Sequence, residues 1–270
     1  MVELITNESP YVLDMIKQED NLPALTRKNS DFIEAVVQLD SNYAKDTQYI
    51  KPSESFNPEN DYKSIKNKYQ WSTKYWFEEM KNPNSDFRKC VLGSIIAIDI
   101  VNSTHLESSE NGRFEMRNRI CSRCKNVDEL IELLNKPFNP DDEDNLITIL
   151  TKPIKAKNKN GNRFNISFAS KFCAYASKFL NCEIEYSKYD NVVSAALPNY
   201  VKIYLNEIVK LSEYKISDKN DDSMDTKLKR RLDIYKKYSI VISKILETIN
   251  QDGIEITKEE FDHIVWYGMK

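Results

Sequence analysis

Glycine is scarce in this chain of 270 residues, which contains only five. Glycine-rich phosphate-binding loops and folds with many tight β-hairpins need more, because such turns require backbone conformations that other residues rarely adopt. Nucleotide-binding folds of the P-loop and Rossmann types are therefore excluded. Long apolar runs are missing as well. The longest, Cys90 to Val101, has twelve residues and contains Asp99, whereas a transmembrane helix needs about 20.

Signals for secretion and for metal binding are also weak. The first eleven residues lack the apolar core of a signal peptide, and the five cysteines are an odd number. We therefore expect reduced thiols, a cytoplasmic protein and no membrane partner. Cys121 and Cys124 have a two-residue spacing, but a zinc site needs four ligands and the chain has only two histidines. We expect neither a metal nor another cofactor.

The charge balance limits the classes of partner. The chain has 39 Lys and Arg against 42 Asp and Glu, for a net charge of −3. This composition excludes a bulk polycation that coats nucleic acid or membrane, but it allows a local basic face. Hydrophobic residues make up 40 % and charged residues 30 % of the chain, which is typical of a globular protein.

Apolar residues recur at helical spacing along most of the chain, and no paired strands are predicted. The sequence therefore predicts an all-α fold, with an N-terminal helical extension over 1–84 and the main helical domain over 85–270. Candidate caps are Asp86, Asn126 and the Thr257–Glu260 capping box. Helices are predicted over 31–45, 87–102, 127–134, 145–150, 189–197, 201–211 and 224–249, and from 258 onward.

The segment from Asn165 to Lys171 carries the strongest chemical signal. Residues 166–180 are apolar at helical spacing, but a basic stretch over 152–163 precedes them and the small residues Ser167, Ala169 and Ser170 suggest a short hairpin. The helix is then expected to begin at Ser170 or Lys171. Backbone N–H groups at a hairpin and a helix start suit one phosphate group. A partly desolvated Lys171 in the first helical turn is a candidate amine nucleophile.

Asp190 follows Lys171 by nineteen residues, at the predicted start of a new helix. A helix over 171–180 is about 15 Å long, and the next nine residues are enough to return the chain to its starting end. We therefore expect the Asp190 carboxylate to lie beside the Lys171 amine, as a compact pair of nucleophile and base.

This segment resembles the helix-hairpin-helix DNA glycosylases, the superfamily of 8-oxoguanine DNA glycosylase and endonuclease III. Members place a Leu-Pro-Gly-x-Gly-x-Lys hairpin before a catalytic lysine and a catalytic aspartate about twenty residues later. Lys171 and Asp190 match those two positions, whereas Ser167 and Ala169 replace the two glycines.

The resemblance implies a glycosylase or abasic-site lyase that removes a damaged or modified base flipped out of double-stranded DNA. It implies that Asn102 and His105 face the lesion. The residues expected to contact DNA are Lys155, Lys157, Lys159, Arg163, Ser167, Ala169 and Ser170.

Other interpretations stay open. Lys171 is also consistent with a surface lysine on an amphipathic helix, and Asp190 with a simple N-cap. The basic stretch over 152–163, and a second basic cluster over 227–237, are consistent with solvated surface. On this basis the chain is alternatively a non-catalytic module that binds nucleic acid or protein on the same fold, or an unrelated helical protein.

Overall fold

The structure is a computed structural model that describes residues 73–102, 104–157, 161–218, 222–251 and 256–269. The predicted helix over 31–45 and most of the predicted extension over 1–84 lie outside these residues. The boundary after residue 84 therefore stays a prediction.

The described part of the chain is mostly helical, in agreement with the predicted class. It also contains short 3-10 turns at Leu106–Ser108 and Leu211–Glu213 and a π-helical turn at Val201–Leu205. The helices are α1 (Thr73–Glu79), α2 (Phe87–Val101), α3 (Gly112–Cys121), α4 (Val127–Leu134), α5 (Leu146–Thr151), α6 (Ile166–Leu180), α7 (Asn191–Tyr200), α8 (Met224–Gln251) and α9 (Lys258–Met269).

One antiparallel strand pair lies within the predicted basic stretch. Strand β1 (Ile154–Lys155) pairs with β2 (Asn162–Arg163), with Ile154 opposite Arg163. The expectation of no paired strands is wrong here, because two-residue strands are too short to give an alternating apolar pattern.

Local capping signals are confirmed where they were predicted. The Asp86 side chain accepts hydrogen bonds from the backbone N–H groups at the start of α2, and Asn126 accepts one from Glu129 N at 3.0 Å. At α9, Thr257 N donates to Glu260 Oε2 at 2.7 Å and Glu260 N donates to Thr257 Oγ1 at 3.2 Å. These caps satisfy N–H groups that a helix start leaves without intrahelical partners.

The described chain divides into two compact units. We call them the Lys171 unit, which comprises the described residues up to Tyr186 together with those of Asn220–Leu232, and the Asp190 unit, which comprises those of Ser187–Lys219 and Asp233–Lys270.

Helix α6 lies at the centre of the Lys171 unit, where it packs against α1, α2, α4 and α5. The Phe172 ring meets the Phe77 ring edge-on with centroids 5.6 Å apart. Helix α2 is buried from Cys90 to Asp99, as its nearly all-round apolar sequence predicts. Gly93 lies under the Trp76 indole, and a Cβ there would come within 2.3 Å of the ring. Close helix packing therefore requires glycine at this position.

In the Asp190 unit, α7 packs against α9, and the Tyr200 and Phe261 rings meet edge-on at 5.4 Å. Helix α7 does not end at Pro198 as predicted but continues to Tyr200. The predicted helix over 201–211 is also wrong, since the π-helical turn ends at Leu205 and Asn206 adopts a left-handed conformation. Pro198 lies inside the last turn of α7, where it lacks the N–H group that would donate to the carbonyl four residues earlier.

Candidate functional site

Helix α6 begins at Ile166, so the predicted hairpin over Asn165 to Ser170 is wrong. The buried residues Ile166, Ala169 and Cys173 recur at three and four positions, and this apolar face extends the helix four or five residues further toward the N-terminus than expected. The backbone N–H of Ala169 donates to Asn165 O at 2.8 Å within the first turn. Ala169 and Ser170 are fully buried, whereas Ser167 is half-buried.

Lys171 consequently lies in the second turn of α6 rather than the first. Its side chain is on the packed side of the helix, and the residue is only 7 % exposed. Its neighbours along the helix, Phe168, Phe172 and Tyr175, are buried as well. The interpretation of Lys171 as a surface lysine is therefore wrong.

Asn102, one of the two predicted pocket residues, is connected to the lysine helix. The side chain of Asn102, which follows α2, accepts a hydrogen bond from the Tyr175 hydroxyl at 3.2 Å. Tyr175 lies one turn after Lys171 on α6, so the two side chains occupy the same helix face. The Asn102 Nδ2 atom is buried and has no hydrogen-bond partner. The structure thus brings a predicted pocket residue to the face of α6 that carries the predicted nucleophile.

His105, the other predicted pocket residue, lies in the turn after α2. It is exposed and has a left-handed backbone, with φ of 58°. Its carbonyl accepts a hydrogen bond from Arg163 Nη1 at 3.1 Å, which ties this turn to β2. The turn is further fixed by Asp99, which accepts hydrogen bonds from Thr104 Oγ1 at 2.7 Å and Leu106 N at 2.8 Å.

The predicted DNA-contacting cations lie on and beside the strand pair. Lys155 is exposed, with its ammonium 3.0 Å from a Glu110 carboxylate oxygen. Lys157 is exposed and its backbone N–H donates to Ser108 O at 3.0 Å. Arg163 is half-buried, and Lys159 lies outside the described residues. The strand pair therefore presents a short basic edge near the turn that contains His105.

The second basic cluster contains several cations that are engaged within the Lys171 unit. Lys229 pairs with Asp141, and Arg230 pairs with Asp222. The Arg231 guanidinium lies 4.1 Å from the centre of the Phe164 ring, and the residue is 9 % exposed. These contacts make this part of α8 a packed and ion-paired face.

Asp190 is the N-cap of α7, where its side chain accepts a hydrogen bond from Val192 N at 2.8 Å. The N-cap interpretation is therefore confirmed, and it is compatible with a chemical role. The preceding residues are held by buried tyrosines of α8: Tyr235 OH donates to Ser187 O at 2.9 Å and Tyr238 OH to Lys188 O at 2.8 Å. Sequence reasoning missed both tyrosines, although their three-residue spacing places them on one helix face.

Lys171 and Asp190 belong to different units, and each is described within its own unit. Their predicted pairing as nucleophile and base stays a prediction.

The thiols of the Lys171 unit are poor nucleophiles and poor metal ligands. Burial raises the pKa of Cys90 and of Cys124 to about 12, and the pKa of Cys182 to about 11. These groups are therefore protonated at neutral pH, whereas metal binding and attack require thiolate. Over the part of the chain that the structure describes, no three His, Cys, Asp or Glu residues are grouped so that they could hold a metal ion. Within the same residues, no helix has the length and apolarity needed to cross a bilayer.

Comparison with protein-family models, with curated proteins and with solved structures finds no match to this chain.

Proposed function

We propose that this protein removes a damaged or modified base from double-stranded DNA and cleaves the resulting abasic site, with Lys171 as the nucleophile. The observation that carries the proposal is the burial of Lys171, which is 7 % exposed on a helix whose neighbouring side chains are aromatic. Lysine is rarely buried to this extent because its ammonium group is costly to desolvate. Buried lysines in enzymes include those that form Schiff bases.

The surroundings of Lys171 fit a nucleobase better than a small polar substrate. Tyr175, one turn after Lys171, supplies an aromatic ring, and Asn102 supplies an amide that is held by the Tyr175 hydroxyl. Flipped bases are bound by stacking on apolar or aromatic groups and by hydrogen bonds to their polar edges. Lys155, Lys157 and Arg163 provide cations for the phosphates that flank such a base.

The proposed chemistry takes place at the Lys171 amine. The amine attacks the sugar carbon C1′, the N-glycosidic bond breaks, and the base departs with the bonding electron pair and takes up a proton. Loss of the amine proton and opening of the sugar ring give a Schiff base between C1′ and Nζ. Removal of a C2′ proton then expels the 3′ phosphate by β-elimination, and water releases the lysine.

Asp190 supplies a carboxylate in this proposal. A negative charge stabilises the positive charge that develops at C1′ as the base departs. The role of Asp190 as the α7 cap is compatible with this one, because a capping carboxylate has a second oxygen and further lone pairs.

The test is chemical trapping. The full chain is incubated with duplex DNA that contains one abasic site, in the presence of borohydride, which reduces a Schiff base to a stable amine. We expect a covalent adduct with the wild-type protein, and its loss in Lys171→Ala and Lys171→Met. Lys178→Ala is the matched control, because this lysine lies on the same helix but is exposed. Circular dichroism establishes that the variants are folded.

Three results contradict the proposal. The first is an adduct that persists in both folded Lys171 variants. The second is the absence of any adduct and of DNA binding in the wild type, which favours an unrelated helical protein. The third is salt-sensitive DNA binding without an adduct, which favours a non-catalytic nucleic-acid-binding module.

A further inference from the structure

We propose that Tyr238 is a positioning residue for Asp190: its hydroxyl fixes the backbone that aims the carboxylate. This inference rests on the proposed function for its catalytic meaning. The contacts that support it all lie within the Asp190 unit.

The hydroxyl of Tyr238 anchors the backbone shortly before Asp190. It donates to the carbonyl of Lys188, two residues before Asp190, at 2.8 Å. Tyr238 is fully buried, and its ring packs on that of Tyr189 with centroids 5.1 Å apart. The hydroxyl contacts Lys188 and the ring contacts Tyr189, which are consecutive in sequence. These two contacts therefore restrict rotation of the peptide group between Lys188 and Tyr189.

The same stretch is anchored from other directions. The Lys188 ammonium lies 2.7 Å from a Glu259 carboxylate oxygen of α9, and these side chains are 5 % and 13 % exposed. Tyr189 OH donates to Tyr214 O at 2.9 Å and accepts from Ile216 N at 3.1 Å. An N-cap side chain requires an extended backbone conformation, which Asp190 has with φ of −131° and ψ of 143°. These contacts fix the backbone of the two residues that precede Asp190.

The surroundings of Tyr238 keep its hydroxyl protonated, so that it remains a hydrogen-bond donor. Burial, followed by the charges of Asp262 and Asp190, raises the pKa of the Tyr238 phenol well above its ordinary value. The phenol therefore keeps its proton throughout the neutral range and continues to donate to Lys188 O.

Tyr235 provides a matched control on the same helix. It is fully buried like Tyr238, and its hydroxyl donates to the carbonyl of Ser187 at 2.9 Å, one residue earlier. Tyr235→Phe and Tyr238→Phe each remove one buried hydroxyl and keep the ring. A merely structural role predicts equal effects of the two changes, whereas a positioning role predicts a larger local effect at Tyr238.

The first readout is hydrogen exchange of the Val192 amide, which Asp190 caps, measured by NMR on the full chain. We expect Tyr238→Phe to speed this exchange about fivefold, the factor that corresponds to one typical hydrogen bond, and Tyr235→Phe to change it less than twofold. Equal exchange in both folded variants overturns the proposal. This readout does not depend on catalysis, so it decides the role of Tyr238 even where the wild type forms no adduct.

The second readout is kinetic. We expect Tyr238→Phe to lower kcat for base release or strand cleavage about tenfold with KM within twofold, because the substrate is still bound but the carboxylate is misdirected. A change confined to KM, or equal kcat losses in both variants, overturns it.

A third measurement needs no variant and covers the case in which Tyr238→Phe does not fold. In the wild type at rising sub-denaturing urea, we expect the Val192 amide and the Tyr238 hydroxyl to exchange through the same opening. Exchange of Val192 through a separate, easier opening overturns the proposal.

Discussion

The two units hold their candidate functional side chains in different ways. Lys171 lies on a helix whose contacts are mainly apolar, with Phe172 against Phe77. Asp190 follows a stretch without helix or strand whose backbone carbonyls accept hydrogen bonds from Tyr235 and Tyr238. Apolar packing has no directional requirement, whereas a hydrogen bond weakens steeply with angle.

This difference indicates what each unit can control. In the Lys171 unit, packing determines how far α6 is buried and thus how well the amine is shielded from water. In the Asp190 unit, hydrogen bonds determine the direction of a single carboxylate. Core substitutions should therefore affect mainly stability in the first unit, and loss of single hydroxyls should affect mainly geometry in the second.

The largest expected effect is in the apolar core. Phe172→Ala removes a fully buried ring, and we expect the free energy of unfolding to fall by about 4 kcal/mol because a cavity remains. Urea denaturation followed by circular dichroism measures this. Lys178→Ala, an exposed change on the same helix, should cost less than about 0.5 kcal/mol. A loss below about 1 kcal/mol for Phe172→Ala would break the distinction between the units.

The next effect concerns the ion pair of the Asp190 unit. Glu259→Gln leaves the Lys188 ammonium buried opposite a neutral group, and we expect a loss of about 3 kcal/mol, since removing one partner of a buried ion pair is costly. The control is Glu78→Gln, which disrupts the solvent-exposed pair of Lys74 and Glu78 and should cost less than about 0.5 kcal/mol. Similar losses in both variants, measured by urea denaturation, would contradict the importance of burial.

A third prediction concerns the Lys171 unit and the dependence of its free energy of unfolding on pH. The pKa of Cys124 is raised from 9.0 to about 12 in the folded chain, first by burial. Because the folded state holds this proton more tightly, its contribution to stability is fully present below pH 9 and is lost as pH rises from 9 through 12. At pH 10 the loss is about 1 kcal/mol. The destabilisation caused by Cys124→Ala, measured under reducing conditions, should therefore be about 1 kcal/mol smaller at pH 10 than at pH 7. A pH-independent difference would contradict this.

The smallest effect separates the two roles of Asp190. Asp190→Ala removes the α7 cap and should cost about 1 kcal/mol, whereas Asp190→Asn keeps a capping oxygen and should cost less than about 0.5 kcal/mol. Thermal unfolding measures both. Asp190→Asn should nevertheless slow base release, because its charge is lost. Full activity of a folded Asp190→Asn variant would leave Asp190 with the cap role alone.

Local features were predictable from the sequence because they depend on neighbouring residues. The caps at Asp86, Asn126 and Thr257 each involve groups within three residues, and all are present. The start of α6 is not evident from the sequence, because small residues before Lys171 are typical of a hairpin, whereas in the structure they belong to the helix. The strand pair at 154–163 was missed because its strands have only two residues each.

The side-chain contacts around Asn102 and Asp190 could not be derived in the same way. Tyr175 meets Asn102 across 73 positions of sequence, and Tyr238 meets Lys188 across 50. Such separations carry no periodic signal, since each partner has the pattern of an ordinary helix or loop residue.

The amino-acid order by itself determined that the described part of the chain is mostly helical and where several of its helices begin, because spacing and capping act within one or two turns. Only the tertiary structure decided that Lys171 is buried, that Asn102 is held by Tyr175 and that tyrosine hydroxyls hold the backbone before Asp190. Burial and long-range hydrogen bonds depend on which distant surfaces meet, and that is settled by the packing of whole helices.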